Sequence, residues 1–178
     1  MNLEQLKEII GRASELTNET EFYIIGSSAI LVVFESPKDY FLSRSNEADV
    51  VVLSGDPDVA DKISVLIGEL SPFHDNHDVY ADGCTFDTPV FAPEGWRDRA
   101  IPVHYDDIGV TAHFMELHDL FLSKIGAGRP KDTEFCSALV KTRYVNRDVL
   151  NVRLPMIHCT EHERRIIDER VQRCFHQQ

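Results

Sequence analysis

Residues 22–34 read FYIIGSSAILVVF, and residues 47–53 read EADVVVL. The first stretch opens with a short apolar, β-prone run that stops at Gly26, after which Ser27 begins a second apolar run that ends before Pro37. This order is typical of a strand, a tight turn and a helix. The second stretch is a β-branched run closed by a Ser-Gly pair, which predicts another strand. Together the two stretches predict an α/β core.

Helical patterns precede and follow these two strands. Near the start, apolar residues recur at helical spacing after Asn2, and Gln5 completes a capping-box pattern with Asn2. After the second strand, Asp56 and Pro57 are typical of the N-cap and first position of a helix, which we expect to reach about Leu70. The strand at 47–53 is therefore followed by a helix.

The middle of the chain predicts more sheet. Residues 71–78 (SPFHDNHD) contain Pro and Asn and are expected to form a loop, whereas VYADG at 79–83 is expected to form a strand fragment. Apolar runs at 99–105 and 109–115 flank a short turn, which is the pattern of a β-hairpin. The sheet should therefore be partly antiparallel.

From Glu116 onward the pattern becomes helical. One helix is expected to end at GAGRP (126–130), because Gly and Pro terminate helices, and a second should run from about Lys131 to Arg143. A last helix is expected to start at Thr160, which begins a capping-box pattern. The C-terminal third is therefore predicted to be mostly helical.

These elements predict an α/β fold of the α+β kind, with a mixed sheet and packed helices. We expect a single domain over residues 1–178. Within it, residues 20–115 should form the α/β core and residues 116–178 a helical C-terminal subregion.

Composition and charge restrict the function classes. The chain has 178 residues, of which 43% are hydrophobic and 27% charged, the balance of a globular protein large enough to stabilise its own core. The formal net charge of -12 excludes a general basic surface for non-specific nucleic-acid binding. A local cationic pocket for one small polyphosphate is still compatible with that charge, because clefts concentrate a few charges whatever the total.

The sequence shows neither the pattern of a signal peptide nor a Cys-x-x-Cys motif. The first twenty residues lack the basic start and apolar run of a signal peptide, and no segment approaches the roughly 20 apolar residues of a membrane span. We therefore expect a cytoplasmic protein with no membrane association. The four cysteines lack Cys-x-x-Cys spacing, which is typical of reduced structural thiols.

Two carboxylates begin the strand at 47–53. Glu47 and Asp49 are separated by one residue, so the period of two along a strand projects both from the same face. Such a pair is common on solvated strand faces. It is also a candidate for Mg²⁺, which takes one or two carboxylates and keeps positions for waters and substrate phosphates.

The turn at Gly26 and Ser27 offers a complementary chemistry. Glycine lets a phosphate approach the backbone, a serine hydroxyl donates a hydrogen bond, and the start of a helix carries partial positive charge. A simple turn with a serine cap has the same sequence pattern. Beside the acidic pair, however, the turn indicates the second half of a nucleoside triphosphate site.

The order of these features resembles a known superfamily. GSSA after a strand, followed by RSNEADVVV at 44–52, resembles the GS...[DE]x[DE] signature of the nucleotidyltransferase superfamily. The blocks VYADG, GWRDR (95–99) and LHDLFLSKIGAGRPKDTEF (117–135) resemble later parts of a bacterial family of nucleotidyltransferase-like proteins of undefined function. That family is similar to the nucleotidyltransferase toxins of abortive-infection systems. The resemblance covers roughly residues 20–140.

The resemblance implies roles for the residues that match its motifs. Gly26 and Ser27 would contact the triphosphate, and Glu47 and Asp49 would hold the metal ion. The implied cofactor is Mg²⁺, with Mn²⁺ as the alternative.

A third carboxylate of the superfamily lies on a neighbouring strand. Asp82 in VYADG is the candidate, with Tyr80 on the same strand face and Asp78 as the alternative. The sequence departs from the usual pattern at Glu47, where Asp is usual, and at Ser45, where Thr is usual.

Three cations follow the acidic strands. Lys124, Arg129 and Lys131 lie within eight residues around a Gly-containing turn, where they would neutralise phosphates or form a solvated turn. Asp132 has two candidate roles: it caps the following helix, or it orients Lys131 or Arg129.

These expectations favour nucleotidyl transfer from a nucleoside triphosphate to an unknown acceptor, with Glu47, Asp49 and Asp82 as catalytic metal ligands. The alternative is a non-catalytic nucleotide-sensing or protein-binding module of a stress or defence system, resembling one half of a toxin–antitoxin pair. A cognate protein or a second copy of the chain would then be its partner.

Overall fold

The computed structural model describes residues 1–35 and 37–176, which form two compact units. The first unit combines Met1–Thr88 with Ala100–Met115. The second combines Pro89–Arg99 with the chain from Glu116 onward. The strands all lie in the first unit, so the two units differ in architecture.

A five-stranded mixed sheet forms the centre of the first unit. Its strands are β1 (Glu21–Ile25), β2 (Glu47–Val52), β3 (Tyr80–Cys84), β4 (Ile101–Tyr105) and β5 (Val110–Phe114). The strand order is β3-β2-β1-β5-β4, so β3 and β4 are the edges. The pairs β1–β2 and β4–β5 are antiparallel, whereas β2–β3 and β1–β5 are parallel. The prediction of a mixed α/β fold is confirmed.

The first unit contains four α-helices among the described residues. They are α1 (Leu3–Thr17), α2 (Tyr40–Ser43), α3 (Pro57–Ile67) and α4 (Pro72–His77). Asn2 and Gln5 form the capping box of α1, and the Asp56 side chain accepts the N–H of Asp58 at the start of α3. Local cap chemistry therefore determines where α1 and α3 begin.

Two segments of the first unit differ from the sequence prediction. The segment after Gly26 forms only a six-residue 3₁₀ helix, Ser27–Val32, rather than a full α-helix. The loop expected at 71–78 is wrong, because α4 occupies most of it. Its Ser71 cap and the Pro72 at the first position repeat the pattern that begins α3, so this proline initiates a helix instead of breaking one.

The core of the first unit lies on one face of the sheet. Alternate strand residues such as Phe22, Ile24 and Val50 are fully buried there. Tyr23 and Asp49 lie on the other face and are only partly buried, although Val51 on that face is fully buried. The acidic residues of β2 therefore lie opposite the hydrophobic core.

The second unit is helical, as expected. It contains α5 (Leu117–Ala127), α6 (Pro130–Lys141), α7 (Arg147–Arg153), a 3₁₀ turn (Leu154–Met156) and α8 (Glu161–His176). The capping box of Thr160 and Glu163 is present at the start of α8. Helix α7 was not expected from the sequence.

A buried ion network holds the second unit together. Asp119 is fully buried, its Oδ2 lies 2.7 Å from Arg99 Nε, and its Oδ1 lies 3.1 Å from Arg153 Nη1. Arg153 also pairs with Glu116, whose other carboxylate oxygen lies 2.6 Å from His118 Nδ1. A buried carboxylate is tolerated here because two guanidinium groups neutralise it.

Among the described residues, no helix combines the length and apolar composition needed to cross a membrane.

Candidate metal and nucleotide site

The register of two parallel strands brings carboxylates together. Asp49 of β2 lies directly opposite Asp82 of β3, and Glu47 lies opposite Tyr80 on the same face. Ligand atoms of Asp49, Asp82 and Cys84 all lie within 4.8 Å of one another. Within residues 1–35 and 37–176, this is the one such group of three potential metal ligands. Glu47 lies two residues before Asp49 and outside this group.

Gly26 packs against the carboxylate of Asp49. Ile25 at the end of β1 is paired with Asp49, so the chain turns at Gly26 immediately beside it. Gly26 has a φ of 64°, and a Cβ at this position would lie 1.8 Å from Asp49 Oδ2. Both the backbone conformation and the space require glycine. The Gly26–Ser27 turn and Asp49 are therefore adjacent.

Asp82 is held by a residue that sequence reasoning missed. The Ser64 hydroxyl, from α3, donates to Asp82 Oδ1 at 2.9 Å and accepts the N–H of Gly83 at 2.8 Å. No local pattern pairs Ser64 with a residue 18 positions later. The contact depends on how α3 packs against β3.

Cys84 was also missed as a member of the cluster. Its strand position two residues after Asp82 places it on the same face, so the period-two rule applied beyond Asp82 could have found it. The thiol is buried, whereas Asp82 is exposed.

The electrostatic field of the cluster is negative. Burial together with the charges of Asp49 and Asp82 raises the pKa of the Cys84 thiol to about 12. Burial and the charge of Glu47 also raise the pKa of Tyr80. Both pKa shifts indicate that a further negative charge at this position is unfavourable. A bound cation would lower both pKa values.

The donor set fits a hard divalent cation. Two facing aspartates supply oxygen ligands, and Glu47 adds a third carboxylate nearby on β2. Oxygen donors of this kind suit Mg²⁺ or Mn²⁺. The Cys84 thiol adds one softer donor.

The predicted phosphate-binding cations lie in the second unit. Arg129 Nε lies 2.6 Å and Lys124 Nζ lies 3.5 Å from Asp132, which is 1% exposed. Lys124 is itself buried and lies over the ring of Phe135, whereas Lys131 is exposed at the start of α6. The three cations therefore surround one short turn.

Asp132 orients cations and does not cap α6. The N-cap of α6 is Arg129, whose side chain makes no capping hydrogen bond to the first turn of the helix. The capping interpretation of Asp132 is wrong, and its orienting role toward Arg129 is confirmed. Although burial opposes it, the bond from Arg129 and the charge of Lys124 lower the pKa of Asp132.

Comparison with known protein families identifies a family to which the chain is similar. A family described as "Nucleotidyltransferase of unknown function (DUF6036)" matches residues 2–173, nearly the whole chain. No curated protein and no solved structure matches the chain. The match covers both compact units and every residue of the acidic cluster. The chain therefore belongs to the DUF6036 family of nucleotidyltransferases of unknown function.

Proposed function

We propose that the chain transfers a nucleotidyl group from a nucleoside triphosphate to an acceptor, using a divalent cation. The observation that carries the proposal is the register that sets Asp49 against Asp82 on adjacent parallel strands, next to the turn at Gly26. Family membership supports the reaction class. The acidic cluster supports its dependence on a metal ion.

Asp49 and Asp82 would hold the ion, with Glu47 as the third carboxylate. Mg²⁺ is the expected cofactor and Mn²⁺ the alternative. When bound, the ion would supply positive charge to the phosphates and lower the pKa of the acceptor hydroxyl. Asp49 is suited to this role because the Gly26 turn packs directly on its carboxylate.

The Gly26–Ser27 turn would bind the phosphates. With no side chain at Gly26, a phosphate can approach the main chain closely. The Ser27 hydroxyl would donate a hydrogen bond to a phosphate oxygen. The turn thus orients the triphosphate for in-line transfer, and positioning is the main protein contribution in phosphoryl chemistry.

Lys124, Arg129 and Lys131 are proposed as a phosphate-binding cluster of the second unit. Asp132 already fixes the direction of Arg129, so its guanidinium needs less ordering to bind phosphate. Replacing Arg129 with Ala should weaken nucleotide affinity about tenfold, a loss of about 1.4 kcal/mol. Lys141→Ala is the matched control, because Lys141 is an exposed cation at the end of the same helix.

The deciding experiment measures nucleotide binding and transfer separately. Each of the four labelled nucleoside triphosphates is incubated with Mg²⁺ or Mn²⁺, alone and with candidate protein, RNA and small-molecule acceptors. Metal-dependent label transfer that is lost in Asp49→Asn supports the proposal. An absence of metal-dependent nucleotide binding contradicts it.

Binding without transfer would support the alternative, a nucleotide-sensing module with a protein partner in a stress or defence system. Glu47 favours this alternative, because it replaces the usual Asp and lies outside the group formed by Asp49, Asp82 and Cys84. Glu47→Asp separates the two functions. A gain of transfer activity in that variant would indicate that side-chain length at this position limits catalysis.

A further inference from the structure

Helix α3 lies against strand β3 at Gly83. A Cβ at Gly83 would lie 1.9 Å from the carbonyl oxygen of Ala60, so only glycine allows this approach. Ala60 and Ser64 are four residues apart and share one face of α3. The same contact that excludes a side chain at Gly83 therefore brings Ser64 to the strand.

The Ser64 hydroxyl makes two directed hydrogen bonds. It accepts the N–H of Gly83 at 2.8 Å and donates to Asp82 Oδ1 at 2.9 Å. A hydroxyl has a single proton, and a backbone N–H can only donate. Because Gly83 supplies a donor, the proton of Ser64 is directed to the carboxylate of Asp82.

Asp49 and Asp82 are restrained in different ways. Asp49 is partly buried and packs against Gly26. Asp82 is exposed, and an exposed carboxylate loses rotamer freedom when it binds an ion. A hydrogen bond that already fixes Oδ1 would remove part of that cost and leave Oδ2 for the ion.

We propose that Ser64 is the positioning residue for Asp82 and thereby sets the metal affinity of the site. The inference rests on the proposed function, in which Asp82 binds the metal ion. Ser64 touches neither metal nor nucleotide and acts only through the Asp82 carboxylate. Hydrogen-bond partners of metal ligands typically contribute about 10- to 100-fold to metal affinity.

The experiment titrates the full chain with Mn²⁺ alone and measures free Mn²⁺ by electron paramagnetic resonance. We expect Ser64→Ala to weaken Mn²⁺ binding about tenfold. Ser64→Thr keeps the hydroxyl and should remain within about threefold of the natural protein. Val65→Ala is the matched control, because Val65 is the next residue of α3 and is 73% exposed.

A double-mutant cycle tests whether Ser64 acts through Asp82. In the Asp82→Asn background, Ser64→Ala should cause no further loss of Mn²⁺ affinity, because the carboxylate it orients is gone. An equal further loss in that background would overturn the positioning role. It would assign the effect of Ser64 to the packing of α3.

The remaining outcomes separate this inference from the proposed function. If the natural protein binds Mn²⁺ and Ser64→Ala binds it equally well, the positioning role is wrong and the proposed function stands. If the natural protein does not bind Mn²⁺ alone, the positioning role is wrong, and metal-dependent nucleotide binding decides the proposed function separately. Should Ser64→Ala melt early, Ser64→Cys decides, because a thiol has similar volume but is a weak donor and acceptor. Unchanged affinity in a folded Ser64→Cys protein would equally overturn the role.

Discussion

Asp119 in the second unit and Asp82 in the first unit lie in opposite electrostatic environments. In the second unit, the fully buried Asp119 is bracketed by the guanidinium groups of Arg99 and Arg153. In the first unit, the exposed Asp82 accepts its hydrogen bond from the neutral hydroxyl of Ser64 and lies beside Asp49, another carboxylate. Negative charge is therefore compensated at Asp119 and left side by side at Asp49 and Asp82.

The pKa shifts follow the same division. In the second unit, burial raises the pKa of Glu116, but the hydrogen bonds and charges of His118 and Arg153 outweigh burial and lower it to about 2. In the first unit, burial and the nearby carboxylates raise the pKa of Cys84 to about 12. Carboxylates that are paired with cations stabilise the fold, whereas carboxylates that face one another repel, and a bound cation would relieve that repulsion.

The largest expected effect is on the stability of the second unit. Asp119→Asn removes the charge that neutralises Arg99 and Arg153, and breaking a buried ion pair costs about 3 to 5 kcal/mol. Because both arginines are partly exposed, we expect a loss of about 3 kcal/mol. Urea unfolding, followed by the fluorescence of Trp96, the single tryptophan and a member of the same unit, measures it.

Asp98→Asn is the control for this comparison. Asp98 is an exposed aspartate of the same unit, so its replacement should change the free energy of unfolding by less than about 0.5 kcal/mol. Equal effects in the two variants would show that Asp119 is not a structural centre of the second unit.

The next effect depends on pH. The folded-state pKa of Glu116 is about 2, against an ordinary value of 4.5, so ionised Glu116 stabilises the folded state. This contribution is complete above pH 4.5 and is lost as the pH falls toward 2. At about 1.4 kcal/mol per pKa unit, it is on the order of 3 kcal/mol.

The measurement compares the natural protein with Glu116→Gln, which cannot ionise. The difference in their free energies of unfolding should be constant above about pH 5 and should shrink steadily toward about pH 2. A difference that stays constant over this range would mean that the carboxylate charge contributes nothing.

A smaller effect is expected at the turn beside Asp49. Gly26→Ala introduces a Cβ where Asp49 Oδ2 lies, in addition to the strain of a φ of 64°. Gly109 also has a φ of 64°, but a Cβ added there would meet nothing within 4 Å, so Gly109→Ala isolates the strain.

We expect Gly109→Ala to cost about 1 kcal/mol and Gly26→Ala about 2 kcal/mol. Only Gly26→Ala should also weaken Mn²⁺ binding, because it displaces the Asp49 carboxylate. Thermal melting and Mn²⁺ titration measure the two properties. Normal Mn²⁺ affinity in Gly26→Ala would show that the conformation of the turn does not affect metal binding by the acidic cluster.

The smallest stability effect is expected at Asp49 itself. Asp49→Asn reduces the repulsion with Asp82, so the metal-free protein should be as stable as before, within about 0.5 kcal/mol, or slightly more stable. Metal-dependent nucleotide binding should be lost. Asp61→Asn, which changes an exposed aspartate of α3, should leave both properties intact.

The contrary result for Asp49→Asn is a melting temperature lowered by many degrees with nucleotide affinity unchanged. Asp49 would then be a structural residue. Asp49 would then stabilise the first unit, as Asp119 is expected to stabilise the second.

Sequence reasoning was accurate where the signal is local. The caps at Asn2, Asp56 and Thr160 need only neighbouring residues, so three helix starts could be predicted. The spacing of Glu47 and Asp49 predicted a shared strand face, which the β2 register confirms. Asp82 came from family resemblance, since no local pattern connects it to Asp49.

The remainder depends on tertiary packing. The hydrogen bond of Ser64 to Asp82 arises from the position of α3 on β3, and the bracketing of Asp119 joins three segments distant in sequence. No residue near Arg99 in sequence indicates that its partner is Asp119, which lies 20 residues later. Single-sequence patterns carry no information about such pairs.

The edges of the sheet have a consequence for self-association. An exposed edge strand offers unpaired N–H and C=O groups to a strand of another molecule, which is a common route to aggregation. At the β3 edge, the N–H of Gly83 is occupied by Ser64. At the β4 edge, Pro102 has no N–H to offer. The Ser64 hydroxyl thus also occupies one backbone donor that an added strand would need. A substitution of Ser64 that removes the hydroxyl would therefore free this donor for edge-to-edge association and would also remove the hydrogen bond that positions Asp82.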